Sequence, residues 1–198
     1  NWKEAVLVAL AKTESPTKVE DFRPVSLLVC LCKIHEALVH HRIEWVLDGR
    51  IKRLQPNDLG FRHNATAVQQ VLRATQNAHE AWERGKDLAL VLLDVDKAFD
   101  TMWGVGLIVK LFRLGIRGRM LRWIDDYMKG RKCRAVVEGE LSHDRTWDLG
   151  IGQGGILGPL FFVIYFSDMP LPPKSRGKFA DDGSLLQPLS RDTTERAS

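Results

Sequence analysis

Apolar and polar positions repeat along this chain with two periods, and each stretch of constant period predicts an element. Val6 to Ala11 is a short apolar run closed by the polar stretch Thr13 to Thr17, which predicts a strand and then a loop, with Lys12 at the exit. From Ser26 to Leu47 the residues Leu27, Leu28, Leu31, Ile34, Leu38, Ile43 and Leu47 recur mostly at three- and four-residue steps. That spacing predicts an amphipathic helix starting after Pro24 with Ser26 as its N-cap. A second helix is expected from Thr66 to Arg84, with Val68, Val71, Leu72, Ala78 and Trp82 on its apolar face and Gly85 as its stop. Asp87 to Val95 is almost continuously apolar, as a buried central strand would be, and it delivers Asp94 to its end.

Two shorter helices are expected at Val105 to Leu114 and Met120 to Met128, and a strand at Arg134 to Leu141 around Glu138-Gly139. The glycine-rich segment Gly150 to Gly155 then precedes a helix running from Pro159 to Ser167. Lys178 to Leu186 reads as strand, turn and strand, with Asp181-Asp182 in the turn. The alternation of elements predicts an α/β (α+β) fold.

Composition narrows the class. In 198 residues, 44% are hydrophobic and 27% charged, enough to bury a core and too apolar for intrinsic disorder. The longest run of large apolar side chains, Leu160 to Phe166, falls far short of the about 20 residues a bilayer requires. Three cysteines, Cys30, Cys32 and Cys133, give neither a disulfide framework nor a zinc pattern, and a reducing intracellular compartment is expected. The chain begins at Asn1 and reads as a piece of something longer. The net charge is only +4, yet Lys110 to Arg134 holds nine basic residues against Asp125 and Asp126. With Trp123 and Tyr127 interleaved, Arg119, Arg122, Lys129, Arg131 and Lys132 suit a surface that tracks a nucleic-acid backbone. A solvated helix face is the competing reading. His35, His40 and His41 lack ligand partners and are expected to be helix-surface or packing residues.

Asp94, Asp181 and Asp182 would converge if their strands are neighbours. Clustered carboxylates repel unless a hard cation such as Mg2+ neutralises them, and two such ions about 4 Å apart suit phosphoryl transfer. The alternative is that Asp181 and Asp182 only satisfy turn backbone groups.

The motif order makes a family resemblance specific. LLDVDKAFDT resembles the first palm motif of reverse transcriptases, GIGQGGILGPLFF the second, and FADD their catalytic aspartate box. DFRPVSLL and LGFRHNAT resemble fingers motifs of the non-long-terminal-repeat (LINE-type) retrotransposon enzymes and their group II intron relatives. The resemblance implies a right-hand fingers-palm fold with an antiparallel palm sheet, residues 1–85 forming fingers and 86–198 palm, and no thumb within the chain. It implies an RNA-directed DNA polymerase whose partners are an RNA template, a DNA primer and a dNTP. Two Mg2+ ions, or Mn2+ in their place, would be held by Asp94, Asp181, Asp182 and the carbonyl of Val95. Lys12 and Arg23 resemble the cations on the triphosphate, and Phe99 the ring under the incoming sugar. Gln153 and Gly154 resemble the loop under template and nucleotide. Arg62, in LGFRHNAT, joins the nucleic-acid-binding set. Asp96 and Asp100 read as local residues flanking Lys97.

The family commonly has Pro at Gly152, Ser at Gly155 and Gly158, Gln at Asp58 and Tyr at Phe179. Gly152 and Gly155 are expected to loosen the loop. Weak activity or none is expected of the 198 residues alone. The rest of a retrotransposon polyprotein, no membrane partner, and a location in the nucleus or a cytoplasmic ribonucleoprotein are expected too. A catalytically inactive nucleic-acid-binding remnant and an intron maturase-like RNA-binding protein are the alternatives.

Overall fold

The computed structural model describes residues 2–47, 66–95, 97–147, 149–168, 176–179 and 182–190, the last two stretches partly as backbone only. It divides into two compact units, Asn1–Ile51 with Lys97–Tyr165, and Lys52–Asp96 with Phe166–Ser198. Each unit is assembled from two separate stretches of chain.

Unit 1 is built on a sheet of order β2-β1-β4-β5, with β6 also on β4. Its strands are β1 (Glu4–Ala11), β2 (Phe22–Leu28), β4 (Arg131–Val137), β5 (Glu140–Leu141) and β6 (Arg145–Trp147). Strand β1 pairs antiparallel with β2 and parallel with β4. Glu138 and Gly139 both take positive φ, 51° and 87°, which makes the β4-β5 connection the tight two-residue turn whose twist matches a hairpin. The helices are α1 (Cys30–Val46), α3 (Gly104–Arg113), α4 (Gly118–Met128) and α5 (Leu157–Tyr165). The helix α5 is apolar nearly all round and is accordingly buried nearly all round, from Leu157 to Ile164. Ile43, Leu107, Leu111, Ile124 and Phe161 have no exposure and pack the remainder of this core.

Two expectations for this unit change. The segment Phe22–Leu28 is strand, not the start of a helix, and Ser26 is no N-cap: it sits in β2 opposite Leu7. Pro24 is tolerated there because β2 is at the edge of the sheet, where a missing N–H breaks no further ladder. Helix α1 starts at Cys30 after Val29 and buries Cys32, Glu36, Val39 and Ile43, while Leu31, Ile34 and Leu38 face outward. Ile43 and Leu47 of the expected stripe are buried, whereas its N-terminal half gives way to a second set at helical spacing, Cys32, Glu36 and Val39, which takes the inner face.

Unit 2 is a three-stranded antiparallel sheet of order β3-β8-β7, made of β3 (Lys86–Leu93), β7 (Arg176–Phe179) and β8 (Asp182–Ser190), with α2 (Ala67–Glu83) packed on it. Thr66 begins α2 with a capping box to Gln69. The small Ala81 is the buried residue of α2, and Val68, Val71, Leu72 and Trp82 lie outward, contrary to the expected face. Strand β3 is also not central: it pairs only with β8 among the described strands, and Leu90 to Leu93 are exposed. A continuous apolar run fixes a strand's existence but not its rank in the sheet. No helix among the described residues is long and apolar enough to cross a membrane.

Phe161 is one of the large fully buried side chains of α5. Its replacement by Ala is expected to cost about 3–5 kcal/mol of unfolding free energy, read from urea denaturation.

Candidate active site

In unit 2 the ladder sets the carboxylates. Strand β3 ends with Leu93 opposite Gly183 of β8, and β7 pairs Phe179 with Asp182. Asp94 follows Leu93 and Asp182 precedes Gly183, so the two flank the last pair of the ladder at the same end of the sheet. Asp94 is exposed and Val95 half-buried. Asp96, Asp181 and the side chain of Asp182 lie outside the described residues, as do Arg62 and Asp58. Among the described residues no group of three metal-ligating side chains forms.

In unit 1 the other expected site residues are held by backbone hydrogen bonds. Lys12 leaves β1 exposed, and its Nζ donates to the carbonyl of Glu20, 2.9 Å away. Arg23 is exposed on β2 opposite Leu10. Lys97 adopts a positive φ of 48°, and its carbonyl accepts the N–H of Asp100 and of Thr101, which turns the chain into Phe99. The Phe99 ring is half-buried and stacks on Phe162 with centroids 5.0 Å apart. Asp100 beside it is half-buried, and burial raises the pKa of its carboxyl against the opposing charges of Lys97 and Lys12.

The loop Gly150 to Gly155 is pinned rather than loose. Gly150 N donates to Met102 O, Ile151 N to Phe99 O at 2.8 Å, and Ser26 N to Gln153 O at 2.7 Å. A Cβ on Gly152 would fall 2.2 Å from the Trp147 ring and 2.5 Å from Ser26 Oγ, so the indole already occupies the volume of any side chain there. Gly154 has φ of +117°, a conformation that only glycine adopts without strain. Ser26, Asp100, Cys133, Trp147 and Gln153 line a cavity of about 410 Å3 beside this loop.

The basic segment divides on inspection. Arg119 and Arg122 are exposed on α4. Lys129 pairs with Asp125 at 2.7 Å, and Lys132 lies 3.8 Å from Asp144, both near the surface where such pairs contribute little. Arg131 leaves the expected nucleic-acid-binding set: it is 4% exposed, with its guanidinium 4.5 Å from the Tyr127 ring centroid and 5.6 Å from that of Trp147. Trp123 and Tyr127 stack on each other and on Trp2, and His35 stacks on Trp123. Tyr127 is buried in this stack, Trp2 and Trp123 are half-buried, and His35 stays exposed.

One residue of this region escaped the sequence reading. Glu36 has no exposure. Its Oε1 accepts from Tyr127 Oη at 2.6 Å and Cys32 Sγ at 3.5 Å, and its Oε2 from Ile156 N at 2.5 Å and Leu157 N at 3.4 Å. The visible signal was a carboxylate in phase with Cys32, Val39 and Ile43, within the stripe that proved to be the buried one. Because its carboxylate already sits on the first N–H groups of α5, that helix start is no open phosphate cradle. Burial first, then the Glu36 charge, push the Cys32 thiol up to about 11, and burial raises the Tyr127 phenol as well.

The chain matches the family described as reverse transcriptase (RNA-dependent DNA polymerase) over residues 11–193. It is 31% identical over 195 residues to the probable RNA-directed DNA polymerase from transposon BS of Drosophila melanogaster, covering 93% of this chain and 21% of that protein. To the RNA-directed DNA polymerase from mobile element jockey of the same fly it is 32% identical over 170 residues, covering 85% of this chain and 18% of that protein. It therefore spans about a fifth of the length of these curated relatives. Among solved structures, apo telomerase from Candida tropicalis has the same right-hand polymerase fold, with a TM-score of 0.68 at 10% identity over 94% of this chain and 39% of that one.

Gly152→Ala is expected to lose about 1–3 kcal/mol in urea denaturation through overpacking against Trp147. Gly158→Ala, whose Cβ meets nothing closer than 3.6 Å, is expected to be neutral or stabilising by about 0.5–1 kcal/mol inside its helix. Cys32 generates a pH dependence. Between its ordinary value of 9.0 and about 11 the folded chain keeps this proton while the unfolded chain releases it. Stability present below that window is lost across it, and a Cys32→Ala variant is expected to show a shallower fall in urea midpoint.

Proposed function

The chain belongs to the reverse transcriptase (RNA-dependent DNA polymerase) family, and we propose on that basis that it supplies the fingers and palm of a LINE-type retrotransposon enzyme that copies RNA into DNA. The observation that supports this reading is the β3-β8 register, whose last pair, Leu93 with Gly183, is flanked by Asp94 and Asp182. Residues 1–85 would act as fingers and 86–198 as palm.

The donor set fits a hard divalent cation, since Asp94, Asp182 and the adjoining Asp181 offer only oxygen ligands and Asp94 is open to solvent. Asp94, Asp181 and Asp182, with the Val95 carbonyl, would hold two Mg2+ ions, which supply charge neutralisation at the attacking and leaving oxygens of phosphoryl transfer. The substrates are a primer 3'-hydroxyl, which attacks, and a dNTP, which loses pyrophosphate. Lys12 and Arg23 hold the triphosphate, the arginine through a fork that meets two phosphate oxygens at once. Phe99, stiffened by its stack on Phe162, stands under the sugar and excludes a 2'-OH. Gln153 and Gly154 support the template and the nucleotide from a loop pinned to β2. Arg62, Arg119, Arg122, Lys129 and Lys132 track the template-primer backbone in a salt-dependent way. Such an enzyme works inside the cell, in the nucleus or a cytoplasmic ribonucleoprotein, with the rest of its polyprotein.

Primer extension on an RNA template by the full-length polypeptide that carries this chain tests the proposal. Mg2+-dependent extension is expected, falling to background in Asp94→Asn and in Asp182→Asn, and Phe99→Val is expected to admit ribonucleotides. Extension undiminished in both aspartate variants would sink the assignment of these carboxylates. Salt-sensitive RNA binding without extension in any of the proteins would favour a binding remnant.

A further inference from the structure

Every oxygen of the Glu36 carboxylate is used, and the two oxygens face different neighbours. Oε1 meets the Tyr127 hydroxyl of α4 and the Cys32 thiol of its own helix, whereas Oε2 meets the N–H groups of Ile156 and Leu157. A carboxylate without solvent is costly unless donors and positive potential replace its water. Here both come from the start of α5, where unpaired N–H groups and the helix dipole carry partial positive charge. Glu36 thus does from α1 what an N-cap residue does within its own helix.

Ile156 directly follows the loop that carries Gln153 and Gly154. Upstream, the loop is tied through Gly150, Ile151 and Gln153 to the backbone of Met102, Phe99 and Ser26. Downstream, Glu36 is the tie, and Gly155 leaves it room: a Cβ at residue 155 would come within 2.9 Å of Oε2. We propose that Glu36 is a positioning residue for the Gln153-Gly154 loop, setting where that loop meets template and nucleotide although it touches neither. The inference rests on the polymerase reading. A displacement of about 1 Å at such a loop is enough to alter substrate handling about a hundredfold.

Glu36→Gln keeps the volume but turns one acceptor into a donor facing an N–H or a hydroxyl. Tyr127→Phe is the matched control, because it removes the hydrogen bond to Oε1 and leaves the loop side of the carboxylate intact. In the full-length enzyme, Glu36→Gln is expected to raise KM for dNTP about tenfold or more with kcat changed less than about threefold. Amide exchange across residues 150–157 is expected to quicken at least about tenfold. Tyr127→Phe, even where it lowers Tm comparably, is expected to leave both quantities within about twofold of the parent. The proposal is overturned if Glu36→Gln keeps parental KM and exchange, or if Tyr127→Phe moves both equally, which would make Glu36 an ordinary core residue. A parent enzyme that extends no primer would defeat the polymerase reading instead, and the exchange comparison would still decide whether Glu36 holds the loop.

Discussion

Where α1, α4 and α5 of unit 1 meet, the interior contains a carboxylate, and the geometry around it follows from its need for donors. Several kcal/mol are at stake for a buried ion left short of partners, which is comparable to the whole stability of a domain. Glu36 therefore ties three elements together: α1, which carries it, α4 through the Tyr127 hydroxyl, and the point at which the glycine-rich loop becomes helix. Arg131 over the Tyr127 ring adds positive charge to the same neighbourhood. An apolar residue at position 36 would remove the demand, and with it the reason for α5 to start where it does.

The chemistry of the chain was more legible in its sequence than the packing was. The order of the motifs around Asp94, Gln153 and Asp181-Asp182 identified the family, because the spacing of reacting groups survives where packing residues are exchanged. The α5 segment was legible because a wholly apolar run admits few structures, and the pairing of β7 with β8 was legible too, although Asp182, expected in the turn, is the first residue of β8 and pairs with Phe179. The faces of α1 and α2 were not. Helical periodicity reports that a stripe exists, and in α1 two stripes compete, Leu31-Ile34-Leu38 and Cys32-Glu36-Val39-Ile43, of which the one holding an acid is buried. Arg131 was missed for a related reason: a guanidinium can stack on rings as readily as it binds phosphate, and charge counting does not see the rings.

The two units also differ in how their site residues are held. In unit 2, Asp94 and Asp182 adjoin the last pair of a backbone ladder, and the buried apolar residues of the unit are few, Ala81 and Leu186 among the described ones. In unit 1, Phe99 and Gln153 are fixed by ring stacking and by hydrogen bonds from distant strands and helices. Regions with few buried contacts open locally at lower free energy than well-packed ones. Position in unit 2 is thus set by register, and position in unit 1 by packing.

The fit of Trp147 against Gly152 couples two positions of the chain. The indole stands where a Cβ would be, so neither residue is free to change alone: a larger residue at 152 collides with the ring, and a smaller one at 147 opens a hole under the loop. Substitutions at the two positions are therefore coupled rather than additive, and the loop and the end of β6 form one packing unit.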